Sequence, residues 1–155
     1  MVFVDADALA SLIRKERIAH LGTLRGGAPM ASMTLYLADE SFAAFYVHVS
    51  RLAWHTQDMQ HDARVELSIA ETDDRRADPF TLMRVSISGD AIYVANDAAD
   101  FAALKSAWLA RFPAQAINFE LADFSFWQIT PRDARFVAGF GRIHNLSSTE
   151  LKGAA

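Results

Sequence analysis

Hydrophobic positions in the first part of the chain change from a helical to an alternating spacing. After Asp5, a residue type that caps helices, apolar residues recur on one helix face as far as Ile13. Residues 18–25 and 29–37 then have the pattern of extended segments, and Gly26-Gly27 between them suits a tight turn with positive φ. This pattern predicts an N-terminal helix followed by a β-hairpin.

Alternating segments continue through the rest of the chain and are separated by two further predicted helices. The remaining predicted strands are residues 42–49, 64–70, 81–94 and 123–138, and the remaining predicted helices are residues 52–61 and 98–111. We expect the strand over 81–94 to bend near Gly89 and the last strand to be interrupted at Pro131. Short connections are typical of antiparallel sheets, so the pattern predicts a β-rich α+β fold with a six-stranded antiparallel barrel and flanking helices.

Composition and charge limit the kinds of protein that the chain can be. A chain of 155 residues with 52% hydrophobic and 22% charged residues predicts one compact domain, which we place at residues 1–146, followed by a flexible tail over 147–155. The net charge of −4 argues against a nucleic-acid-binding surface, and the absence of cysteine excludes disulfides and thiolate metal sites. No apolar run approaches the ~20 residues that span a bilayer, and two aspartates lie where a secretion signal carries basic residues. We therefore expect a cytoplasmic protein that contacts neither nucleic acid nor membrane.

Residues 50–56, Ser-Arg-Leu-Ala-Trp-His-Thr, join a predicted strand to the first turn of a predicted helix. Free backbone N–H groups and the helix dipole attract an anion at such a position. Ser50 and Thr56 add hydroxyl donors, Arg51 adds a fork that matches phosphate, and His55 adds a ring donor. This stretch predicts a phosphate site. The simpler alternative is that Ser50 caps the helix and that Arg51 and His55 are ordinary surface residues.

The predicted strand over 29–37 carries small hydroxyl residues on one face. Its spacing of two places Ser32, Thr34 and Tyr36 together and Met33 and Leu35 on the other side. Small side chains let a planar ligand approach the strand backbone, whereas the alternative is an ordinary outward face.

The histidines do not predict a metal centre. His55 and His61 are six positions apart, which a regular helix does not stack, and the motif HExxH is absent. We expect His20 and His48 to be structural residues within strands. His144 follows glycines in a segment that we expect to be flexible, so it is a candidate ligand contact.

Four segments in order, residues 27–32, 50–56, 84–89 and 138–142, make the chain resemble a known family. It is similar to the FMN-binding split barrels related to pyridoxamine 5'-phosphate oxidase, and particularly to their haem-utilisation branch. The resemblance implies a split barrel and a homodimer with FMN in clefts between the subunits. The residues implied at the flavin ring and ribityl chain are Ser32, Met33 and Thr34, those at the phosphate are Ser50, Arg51, Leu52, His55 and Thr56, and further contacts are Arg84, Trp127 and Arg142.

The same resemblance implies two functions. The first is a flavin-dependent oxidoreductase whose substrate is unknown, in which the flavin supplies the redox chemistry. The alternative is a non-catalytic protein that binds flavin or haem for storage, delivery or sensing. The basic and aromatic substrate residues of a pyridoxamine phosphate oxidase are not evident near Trp127, and haem-degrading members carry a further C-terminal domain.

Overall fold

The computed structural model describes residues 3–155, which fold around one antiparallel sheet. The strands are β1 (Ile18–Arg25), β2 (Ala28–Leu35), β3 (Leu37–Ala38), β4 (Phe45–Ser50), β5 (Arg64–Ala70), β6 (Arg84–Val94), β7 (Phe124–Val137) and β8 (Ile143–Ser147). The α-helices are α1 (Ala6–Lys15), α2 (Trp54–His61), α3 (Phe101–Arg111) and α4 (Ser148–Gly153), and 3-10 segments lie at Pro79–Thr81 and Pro113–Glu120. The predicted β-rich α+β class and the helices near the predicted positions are confirmed, but the sheet has eight strands in this range and not six.

The sheet curls without closing. Its strand order is β2-β1-β5-β6-β7-β4-β3, and β8 pairs separately with β7. β3 is two residues long and pairs only with Phe45 and Tyr46 of β4. The second half of β4 therefore has no strand on that side, and β2 is the opposite edge of the sheet. A split opens between these two strand edges.

β4 is buried on both faces, because the sheet separates two apolar clusters. Phe45, Val47 and Val49 belong to the cluster on the inner side of the curled sheet, which α1 also covers. His48 points to the other face, where Trp108 of α3 and Phe126 of β7 lie next to it. A strand with a histidine between valines is therefore packed on both faces beside the split.

The long β6–β7 pair contains the predicted bend. The register shifts between Ser88 and Gly89, where Gly89 lies opposite Pro131. A Cβ atom at Gly89 would lie 2.6 Å from the carbonyl oxygen of Thr130, so only glycine fits the close approach of the two strands. The predicted interruption at Pro131 is wrong in one respect: β7 continues through this proline, which the irregular register accommodates.

The predicted flexible tail is wrong, because residues after 146 are folded. Ser147 and Glu150 form a capping box at the start of α4, and the side chain of Leu151 is 0% exposed. Ser147-x-x-Glu150 is a sequence signal for a helix start, and the short polar helix that follows contributes one leucine to the core, too little for an apolar spacing to show. The ordered domain therefore extends beyond residue 146. Within residues 3–155, none of the helices has the length and apolar character needed to cross a bilayer.

Candidate functional site

A cleft of about 470 Å³ lies at the split, and we call it the split cleft. β2 contributes residues 33–35, β4 contributes residues 48–50, and the start of α2 contributes Ala53 and His55. Trp108 of α3 and Phe124 of β7 are its large apolar lining residues, and the 3-10 segment Pro113–Glu120 contributes polar amides. The cleft thus combines apolar walls with a few polar groups, which is the usual composition of a small-molecule site.

His48 is the most buried titratable residue of the split cleft. Its side chain is 8% exposed, and its ring stacks on Phe119 at 4.1 Å between centroids with an interplanar angle of 14°. Burial lowers the pKa of His48 to about 4, because the charged imidazolium loses its hydration. The imidazole is therefore uncharged at neutral pH.

His55 is uncharged for the same reason. Burial lowers its pKa, and the negative charge of Asp58 opposes that shift without cancelling it. The two histidines come from different elements, β4 and α2, and line the same cleft.

Unpaired buried polar atoms concentrate in the split cleft. Among residues 3–155, four buried side-chain nitrogens have no hydrogen-bond partner, and three of them are His48 Nδ1, His55 Nε2 and Trp108 Nε1. The fourth is Nε of Arg111, outside the cleft. Buried polar atoms are paired in nearly all proteins, so a cluster of unpaired ones indicates a missing ligand, water or partner at that place.

The junction between β4 and α2 has the features of an anion site. α2 begins after Ala53, and no side chain in the described chain caps its first N–H groups. The Arg51 side chain is exposed and forms no hydrogen bond or ion pair with the rest of residues 3–155, while its backbone N–H donates to the Asp123 carbonyl at 2.8 Å. The alternative in which Ser50 caps the helix is wrong, because the cap position belongs to Ala53.

The hydroxyl groups at this junction are used within the chain. Ser50 Oγ donates to Asp123 Oδ2 at 2.5 Å and accepts from the Leu52 N–H at 3.1 Å. Thr56 Oγ1 donates to the Ser50 carbonyl at 2.6 Å. Arg51 and the first amides of α2 therefore remain as donors for an anion, and the Leu52 side chain is exposed.

The predicted ring contacts lie on the free edge of β2. Met33 is 63% exposed and Ser32 is half-buried, whereas Thr34 is buried and its Oγ1 donates to the Leu35 carbonyl. Tyr36 does not join this surface, because its hydroxyl is buried and donates to the Ile13 carbonyl at 2.7 Å. The edge of β2 offers backbone groups to a ligand in the cleft.

Of the eleven predicted site residues, Met33, Thr34, Ser50 and His55 line the split cleft. Ser32, Arg51, Leu52 and Thr56 are next to lining residues in the sequence but do not line it themselves, and three more residues lie elsewhere in the fold. Arg84 starts β6 at the end opposite to Val94, and its guanidinium donates to the carbonyls of Phe80 and Leu82. Trp127 is 5% exposed and belongs to the inner apolar cluster. Arg142 donates to the Ala138 carbonyl at 3.1 Å.

His144 is also engaged within the chain and does not lie in a flexible segment. It is part of β8, and its Nε2 lies 2.7 Å from Asp5 Oδ2. Asp5 also lies 3.4 Å from Arg142. Asp5 thus pairs with His144 and Arg142, the two residues in this region that the sequence predicted to contact a ligand.

Comparison with known proteins gives the family of the chain. Residues 5–151 match the family model described as CREG, beta-barrel. The chain belongs to the CREG beta-barrel family. This result supports the resemblance to the FMN-binding split-barrel superfamily.

Two relatives of this CREG-family chain are named for haem. The heme oxygenase HOZ of the Arabidopsis thaliana chloroplast is 35% identical over 113 residues, which are 73% of this chain and 33% of HOZ. A heme binding protein from Mycobacterium smegmatis has a structure with a TM-score of 0.84 and 25% identity, covering 99% of this chain and 62% of that protein. The chain therefore spans about a third of HOZ and less than two thirds of the mycobacterial protein.

A third comparison shows the fold alone. The putative pyridoxamine 5'-phosphate oxidase from Listeria innocua has a TM-score of 0.66 at 15% identity, and the match covers 86% of this chain and 98% of that one. The curled antiparallel sheet is thus shared with proteins of that class.

Sequence reasoning missed part of the cleft of this CREG-family chain. The prediction of a structural role for His48 leaves out its place in the cleft lining, and the 3-10 segment contributes two further lining residues, Gln115 and Asn118. The sequence signal for His48 is its position between Val47 and Val49 in an alternating strand. Because both faces of β4 are buried, the His48 side chain is buried and uncharged. Nothing in the sequence signals the 3-10 segment, because its position depends on the packing of α3.

Proposed function

We propose that this CREG-family chain binds haem in the split cleft, which a second copy of the chain completes. The observation that carries the proposal is the pair of uncharged histidines, His48 and His55, each with a buried and unpaired ring nitrogen beside the same apolar cleft. Neutral imidazole is a common protein ligand of haem iron, so His48 or His55 would hold the iron, and an apolar pocket suits the porphyrin ring. The names of HOZ and of the mycobacterial relative support the same cofactor.

The β4–α2 junction, between the lining residues Ser50 and Ala53 of the cleft, supports an anionic cofactor. Arg51 and the uncapped first turn of α2 would hold a propionate carboxylate, since both offer donors without a partner in the described chain. Bound haem supplies iron-centred redox chemistry. The chain supplies an uncharged ligand, apolar walls and a cationic anchor. We assign no residue as a general acid or base, so the proposal covers binding and not turnover.

A haemin titration tests the proposal. The wild-type protein should show a saturable Soret band, and His48→Phe or His55→Phe should shift or remove it because one ring nitrogen is lost. His20→Gln is the matched control, since His20 is exposed on β1 and lies outside the split cleft. A wild-type protein without a saturable band, or a band that neither cleft variant changes, contradicts the proposal.

FMN is the second candidate, and the anion site at the β4–α2 junction favours it. The flavin would lie along the edge of β2 at Ser32, Met33 and Thr34, with its phosphate at Arg51, and the chain would be a flavin-dependent oxidoreductase. Arg51→Ala should then weaken FMN binding roughly 10- to 100-fold, the equivalent of about 1.5–3 kcal/mol for a charge-assisted hydrogen bond. Arg17→Ala is the control, because Arg17 is exposed and forms no side-chain hydrogen bond or ion pair within residues 3–155. A colourless protein that takes up no FMN contradicts this candidate.

A further inference from the structure

A buried carboxylate joins α2 to the barrel. Asp58 of α2 is 4% exposed, and its two oxygens accept from different residues of β1. Thr23 Oγ1 donates to Oδ2 at 2.7 Å, and Arg25 Nη1 donates to Oδ1 at 2.8 Å. Thr23 is itself 3% exposed, so the carboxylate is paired within the fold and not by solvent.

The same arginine also contacts the first residue of α2. The Arg25 guanidinium carbon lies 4.1 Å from the centroid of the Trp54 ring, and Trp54 is exposed on its other side. Arg25 therefore connects two points of the helix, Trp54 in its first turn and Asp58 one turn later. His55 lies between these two points in the sequence.

α2 depends on such contacts for its position. It has eight residues and no side-chain cap at its start, whereas isolated helices shorter than about 12 residues are marginal in water. Its packing on β1 therefore decides where its first turn lies. Asp58 lines the groove formed with Leu24, Arg25 and Gly26, and it does not line the split cleft.

We infer that Asp58 is a positioning residue, which together with Thr23 and Arg25 fixes the first turn of α2 and the His55 side chain at the split cleft. The inference rests on the proposed cofactor site, because it assigns to Asp58 the placement of a residue that would contact the ligand. The carboxylate acts through the helix and touches no ligand itself. Groups that hydrogen-bond directly to a metal-binding histidine change affinity by roughly 10- to 100-fold when they are lost, and Asp58, which acts through the helix and forms no hydrogen bond with His55, is expected at the lower end of that range.

The test compares Asp58→Asn with the wild-type protein in two measurements. Amide hydrogen exchange of the ligand-free protein should show α2 opening roughly 10-fold more readily in the variant, while the β6 amides exchange as in the wild type. The haemin dissociation constant should rise roughly 10-fold. Asp90→Asn is the matched control, because Asp90 pairs with Arg132 at 2.7 Å on the surface, where both side chains are 44% exposed.

The variants also separate positioning from general loss of folding. Thr23→Val removes one donor while it keeps the shape of the side chain, so it should give the same pattern if Asp58→Asn does not fold. Unchanged α2 exchange in these variants overturns the inference, as does faster α2 exchange with an unchanged haemin constant. If the wild type bound no haemin, the proposed function would be wrong, and the exchange of α2 alone would then decide whether Asp58 fixes the helix.

Discussion

Mild acid should destabilise this CREG-family barrel through His48. The folded-state pKa of this residue is about 4, below the ordinary value near 6.5, because burial disfavours the imidazolium. Between these two values the unfolded chain binds the proton and the folded chain does not. Stability therefore rises with pH in this window and is lost as the pH falls from 6.5 towards 4.

The size of the effect follows from the two pKa values. Linkage gives a loss of about 2 kcal/mol in the free energy of unfolding between pH 8 and pH 5 for His48 alone. Burial also lowers the pKa of His55, so His55 adds to the loss in the same direction. Side-chain hydrogen bonds from Arg64 and Arg76 lower the pKa values of Asp62 and Asp74 to about 2. Protonation of these two carboxylates therefore changes stability only below the pH range of the His48 effect.

His48→Phe isolates this contribution. Phenylalanine keeps the ring beside Phe119 and Phe126 and removes the unpaired Nδ1. We expect the variant to be at least as stable as the wild type at pH 8, because no buried polar atom is left unpaired at this position. Its loss of stability between pH 8 and pH 5 should be smaller by about 2 kcal/mol.

Urea unfolding of the ligand-free protein at several pH values, followed by far-UV circular dichroism, measures the difference. His20→Gln is the matched control for the removal of a histidine from an exposed position. If His48→Phe loses as much stability as the wild type between pH 8 and pH 5, the buried neutral state of His48 is wrong.

Two substitutions test the fold itself. Gly89→Ala should destabilise the protein by about 1–3 kcal/mol in thermal unfolding, because the new Cβ would lie 2.6 Å from the Thr130 carbonyl oxygen. Gly153→Ala is the control and should be neutral or stabilising, because a Cβ at that position would meet no atom within 4 Å. Leu151→Ala should cost about 2–5 kcal/mol in the free energy of unfolding, because Leu151 anchors α4 in the core. Lys152→Ala on the exposed side of the same helix should leave the urea midpoint near the wild-type value.

Much of the fold is readable from periodicity. The β1–β2 hairpin was predictable because Gly26 and Gly27 have the positive φ angles that its turn requires, 58° and 83°. β3 was not predictable, because a two-residue strand has no alternation to detect. β8 was not predictable for a different reason. It follows a glycine-rich turn in a polar segment, and only its pairing with β7 makes it a strand.

The split cleft was predictable only in part. Residues 50–56 predicted the β4–α2 junction with its uncapped first turn, since the end of a strand and the start of a helix are neighbours in the sequence. The opposite wall is set by topology: residues 33–35 and 48–50 line one cleft because β2 is an edge strand and the second half of β4 extends beyond the short β3 at the other edge. Arg84 and Trp127 were predicted at the site but lie elsewhere in the chain. The Arg84 guanidinium donates to neighbouring carbonyl groups, and Trp127 is part of the core.

The unpaired nitrogens of the split cleft connect stability with function. Each buried polar atom without a partner costs about 1–3 kcal/mol, so the three in this cleft reduce the stability of the ligand-free chain. A core under selection for stability alone would replace His48 with an apolar ring. If His48 belongs to the proposed site, His48→Phe should have two opposite effects. The ligand-free protein should be equally or more stable, and haemin should bind more weakly. A purely structural histidine would not produce both effects, because haemin binding would not respond to its loss.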